Sequence, residues 1–135
     1  MVGSGAVSIL NVDSNGITVM KQMQTPDTTF DVCFNEGNQN QLLTAGGDGS
    51  IRLWDLTSPN EAPVSVVRAH DSEVNGVEWN HLNKNTILTT STDMKVKVWD
   101  ATTMTNTGVF AHDFTAYCAI WHPTHESIFG SCSGD

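Results

Sequence analysis

The chain has 135 residues, 39% of them hydrophobic, and its fifteen acidic against six basic residues give a formal charge of −9. Nucleic-acid binding asks for a basic patch, and the sequence has none, so a cationic peptide or protein partner suits the sign better. No apolar run approaches bilayer-spanning length and Met1–Leu10 lacks the basic start of a secretory leader, which predicts neither export nor direct membrane insertion.

In chain order, short apolar runs rich in Val, Ile, Phe and Trp alternate with clusters of Gly, Asn, Asp, Ser, Thr and Pro. That is the pattern of strands and turns. Residues 6–12 and 17–23 predict a hairpin turned at Asp13–Gly16. Residues 30–35, 41–46, 50–55 and 63–69 predict four strands, and 74–80, 86–91, 95–99 and 106–111 predict four more. Residues 116–121 and 127–132 predict a final pair. IRLWD and VKVWD alternate apolar and polar residues, as a strand with one buried face does. No stretch sustains a helical period.

The runs repeat. GGDGSIRLWD at 46–55 returns as STDMKVKVWD at 91–100, so that Asp48, Trp54 and Asp55 recur 45 residues later as Asp93, Trp99 and Asp100. Phe34, Trp79 and Trp121 keep nearly the same period, and so do His70 and His112. A strand pair closing on Trp-Asp at this spacing marks a β-propeller blade. The expected fold is all-β: a partial WD-repeat β-propeller of antiparallel four-stranded blades, about three blades of a seven-bladed ring. The expected division is a half blade at 1–23, blades at 24–69 and 70–111, and a half blade at 112–135. An open arc with an unpaired edge at each end is expected, from a fragment of a longer ring.

His70, Thr89, Asp93 and Trp99 stand at the offsets of the structural tetrad of WD-repeat proteins. In this buried chain of hydrogen bonds the carboxylate accepts from imidazole, the imidazole meets the hydroxyl, and the hydroxyl meets the indole N–H. The preceding blade has Thr44, Asp48 and Trp54 but Thr25 in place of the His, and the last has His112, Ser131 and Asp135. Thr89 as the nucleophile of a hydrolytic triad is disfavoured, because the indole occupies the hydroxyl and no oxyanion loop is evident. No enzymatic activity is expected. Gly46, Gly47 and Gly49 lack the Lys-Ser/Thr and helix of a phosphate loop and read as a tight turn. His122 and His125 lack further ligands, so neither a metal nor a cofactor is expected. Cys33, Cys118 and Cys132 have no metal or redox spacing, and two lie beside core aromatics, which predicts buried, reduced thiols.

The loops leading into each inner strand, at 24–29, 70–73 and 112–115, carry Asp27, Asp71 with Glu73, and Asp113. They would aim acidic groups at one rim of the propeller. The runs TTFDVCFNEGNQNQLLTAGGDGSIRLWDL, VVRAHDSEVNGVEWN, TILTTSTDMKVKVWD and FAHDFTAYCAIWHPT resemble the receptor family for the type 2 peroxisomal targeting signal, the peroxin-7 family. The resemblance covers the chain from about residue 5 but under half of a full receptor. It implies an import receptor in the cytosol that cycles to the peroxisome. It implies binding of a basic, amphipathic N-terminal targeting helix of cargo proteins, with a co-receptor peroxin completing the groove. On that resemblance Asp27, Glu73 and Asp113 become acidic contacts, and Asn75 and Tyr117 line the same rim. Ser91-Thr92-Asp93 departs from the usual Gly-containing turn. A generic WD-repeat scaffold for a multiprotein complex is the alternative.

Overall fold

The computed structural model describes residues 4–134, and twelve β-strands run through them with no helix among the described residues. β1 (Gly5–Asp13) and β2 (Gly16–Thr25) form a hairpin. β3 (Thr29–Asn35), β4 (Asn38–Gly46), β5 (Ser50–Asp55) and β6 (Ser65–Arg68) form a four-stranded sheet. β7 (Val74–Trp79), β8 (Thr86–Ser91), β9 (Lys95–Asp100) and β10 (Thr105–Ala111) form the next. β11 (Ala116–Trp121) and β12 (Phe129–Ser133) form a second hairpin. Every pairing is antiparallel and sequential, so each sheet is a meander. This is the all-β, partial-propeller architecture expected from the repeat.

The cores lie between sheets. Val7 and Met23 of the first hairpin meet Leu42 and Trp54. Leu43, Ala45 and Ile51 meet Val74, Val77 and Trp79 of the next sheet. Leu88 and Val96 meet Ala116, Ala119 and Trp121. Adjacent Leu42 and Leu43 therefore belong to different cores, and both are fully buried. The four-stranded sheets are covered on both faces, which corrects the expectation of a single buried face for IRLWD: Arg52, at a polar alternate position, is only 5% exposed. Side chains also cross between sheets. Asp31 accepts the Val77 amide at 3.0 Å, Glu78 accepts the Trp121 amide at 2.6 Å, and Asn80 donates to the Glu126 carbonyl at 2.8 Å.

The cover is incomplete at two first strands. Phe30, Val32 and Phe34 on β3, and Tyr117 and Ile120 on β11, stand in solvent. The cysteines correct a second expectation. Cys118 and Cys132 are exposed and only Cys33 is half-buried. A bulge between Ala116 and Cys118 shifts the alternation of β11, so that Ala116, Ala119 and Trp121 all pack inward while Cys118 turns outward.

Candidate binding rim

The tetrad residues of the second sheet meet in a continuous chain. The indole Nε1–H of Trp99 donates to Thr89 Oγ1 at 2.9 Å, and Thr89 Oγ1 lies 2.7 Å from His70 Nε2. His70 Nδ1 lies 3.0 Å from both oxygens of Asp93. With the indole fixed as donor, the hydroxyl donates to Nε2 and the ring keeps its proton on Nδ1, facing the carboxylate. His70 and Thr89 are buried, so the hydroxyl faces no cleft and has no spare capacity for nucleophilic work. Burial holds the His70 ring below its ordinary pKa of 6.5 against the opposing pull of Asp93. Burial works to raise Asp93, but the Asp71 amide, the His70 ring and the Lys95 amide together bring it below its ordinary 3.8.

The first four-stranded sheet keeps one bond of that chain and rebuilds the rest. Trp54 Nε1 donates to Thr44 Oγ1 at 3.0 Å. Thr25 does not reach Thr44. Its hydroxyl donates to the Asp27 carbonyl at 2.7 Å and lies 3.1 Å from Thr29 Oγ1, closing its own loop. Asp48 is held by both terminal nitrogens of the Arg52 guanidinium and by the Ser50 amide, and the guanidinium is the chief reason its carboxyl sits below the ordinary range. Composition alone gave no warning of this pair, but Gly46 is a signal: a Cβ there would stand 2.8 Å from both Arg52 Nη1 and Asp48 Oδ1. In the last hairpin His112 Nε2 lies 3.0 Å from Ser131 Oγ, and Asp135 falls outside the described residues.

The first lead-in loop is shorter than the sequence predicts, because β2 runs to Thr25 and β3 begins at Thr29. In the four-stranded sheets the loop is pinned to the turn between the second and third strands, and in the last hairpin to the residue just past β12. Gly47 N donates to Thr28 O at 2.8 Å, Thr92 N to Glu73 O at 3.1 Å, and Gly134 N to Thr115 O at 3.3 Å. The Gly49 turn in turn abuts the loop of the following sheet: Gly49 adopts φ +81°, and a Cβ there would stand 2.6 Å from the His70 carbonyl. The loops and turns thus form one surface, with a shallow cleft lined by Gly47, Asp48, Arg68, Asp71, Ser72 and Glu73.

On that surface the Asp27 carboxylate accepts the Thr28 amide at 2.7 Å and is half-buried, while Asp113 is exposed. The Glu73 carboxylate accepts the Ser72 hydroxyl, which leads the contacts holding it below the ordinary carboxylate range. Asp71 lies 3.5 Å from Lys95 Nζ, so the row of acids is interrupted by a cation. Asn75 is half-buried and its amide donates to the Ala116 carbonyl at 2.9 Å, joining two inner strands. Tyr117 is 59% exposed, and Phe114, which the sequence reading passed over, is 57% exposed in the loop before it.

The model of the WD domain, G-beta repeat, matches residues 20–55 and 61–100. The peroxisomal targeting signal 2 receptors of Mus musculus and Homo sapiens are each 34% identical over 133 residues, 97% of this chain. That stretch is 42% of the mouse protein and 41% of the human one, so the chain spans about two-fifths of the length of these relatives. The receptor of the same name from Saccharomyces cerevisiae is 40% identical over 81 residues, 59% of this chain and 21% of that protein. The chain belongs to the WD-repeat family, as a partial β-propeller similar over nearly all its length to peroxisomal targeting signal 2 receptors.

Proposed function

We propose that the chain is part of a peroxisomal import receptor and that its lead-in loops take the N-terminal type 2 targeting helix of cargo. The observation that carries this is the run of carboxylates on three successive lead-in loops, Asp27, Glu73 and Asp113, with exposed Phe114 and Tyr117 beside the last. The near-complete similarity to receptors named for that signal supports the choice of ligand. The acids would meet basic side chains and fix the approach and orientation of the helix, while the aromatics take its aliphatic face. Asn75 contributes at second hand in this reading, by holding the start of β11 against β7. A co-receptor peroxin would cover the helix from the far side, and the receptor would load in the cytosol and deliver to the peroxisome.

The test is fluorescence anisotropy with a basic amphipathic targeting peptide and a scrambled peptide of equal charge, at low salt. The expected result is preference for the targeting peptide, and a weakening on the order of a few-fold with Glu73→Lys. Equal affinity for the two peptides would favour a general scaffold instead.

A further inference from the structure

Cys118 and Cys132 are direct partners across β11 and β12. Directly opposed residues of an antiparallel pair project from the same face, with Cα atoms about 4.5–5.5 Å apart. A disulfide takes a Cα separation of roughly 4.4–6.8 Å, so the backbone already holds the two thiols within bonding span. Both are exposed. They line a shallow depression with Ile120, Gly130 and Ser131, where Gly130 leaves open space: a Cβ there would meet nothing within 4 Å. Burial, followed by the neighbouring Cys132, raises the Cys118 thiol. Cys33 has neither property: burial pushes its thiol up to about 12 and its cross-strand partner is Leu43.

We propose that Cys118 and Cys132 are a redox modification site, closing to a reversible cross-strand disulfide with a hydroperoxide as oxidant. The thiolate of one cysteine of the pair attacks one peroxide oxygen, the O–O bond breaks, and sulfenic acid forms with release of water after proton uptake. The thiolate of the other then attacks the sulfenic sulfur, the S–S bond forms, and hydroxide leaves to be protonated. Two thiols and one hydrogen peroxide give one disulfide and two waters, the sulfurs losing two electrons and the peroxide gaining them. The bond ties β11 to β12, which among the described residues pair with each other alone, and so stiffens the register that sets His112 against Ser131.

The experiment treats the reduced 135-residue chain with hydrogen peroxide, blocks remaining thiols with iodoacetamide and maps chymotryptic peptides by mass. The expected product joins the Cys118 and Cys132 peptides with loss of two hydrogens, is reversed by dithiothreitol and leaves Cys33 as an alkylated thiol. Melting of the oxidised chain should rise on the order of a few degrees over the reduced chain. Cys118→Ser and Cys132→Ser should each abolish both the link and the rise. Separate sulfinic acids without a link, a link between two chains, or a link that includes Cys33 would each overturn the assignment.

Discussion

The two four-stranded sheets carry the same Trp-to-Thr bond and satisfy the same turn aspartate in different ways. In the second sheet a buried imidazole joins Thr89 to Asp93, making one uninterrupted chain from Trp99 to the turn. In the first, Arg52 reaches Asp48 from the neighbouring strand and the Thr44–Trp54 pair stands apart. The substitutions travel together. Where the second sheet has His70, Ser91 and Lys97, the first has Thr25, Gly46 and Arg52. Lys97 reaches the Ala69 carbonyl at 2.6 Å and lies near the Trp99 ring, leaving Asp93 to the histidine. The turn must have its carboxylate satisfied, and either a ring from the preceding loop or a guanidinium from the adjacent strand will do it.

The difference is broken most sharply at the histidine. His70→Ala strands a buried hydroxyl donor and removes the ring that fills the space beside it. A loss of about 2–4 kcal/mol is expected in urea unfolding. The same variant should change the pH profile. His70 is held neutral in the fold, so its contribution is complete above its ordinary 6.5 and is lost as pH falls below that toward the lower folded value. Asp48 and Asp93 are depressed, so theirs persists down to about their ordinary 3.8 and is lost as pH falls through the lower folded values. The wild-type chain should weaken in two stages on acidification and the variant in the second alone. Glu78, raised by burial, acts oppositely near its ordinary 4.5, its contribution being lost as pH rises through the folded value.

Arg52→Ala should cost less, about 1–2 kcal/mol, because water can reach the partly exposed Asp48 once the guanidinium is gone. It should leave the first acid stage intact, which separates the two networks in one titration. The smallest effect is a gain. Met94 takes φ +69° at the position where Gly49 takes +81° in the preceding sheet. Met94→Gly removes a left-handed side chain and should stabilise the chain by about 0.5–1 kcal/mol in the same unfolding experiment.

Strand positions and the Trp-Asp period were legible because both are local: a turn residue, an alternation, a fixed offset. The offsets of His70, Thr89, Asp93 and Trp99 were legible for the same reason, since they recur within one repeat. Arg52 was not, because alternation says which residues share a face but not whether a second sheet covers the other one. Cys118 and Cys132 were misjudged as core thiols because proximity to Trp121 in sequence says nothing about the bulge that turns Cys118 outward. The loops gave their charge but not their contacts. Nothing in the sequence sets Lys95 beside Asp71 or commits the Asn75 amide to the Ala116 carbonyl.

Asp31 and Glu78 each reach from one inner strand to a main-chain amide of the next. Among the described residues the main contacts of each sheet are with its neighbours, so such bonds act as rivets in a linear array. An end hairpin can then lift away while the middle holds, once Glu78, Asn75 and Thr90 release β11. Mechanical pulling on such a chain should therefore release sheets one at a time, each step breaking the side-chain bonds of a single seam.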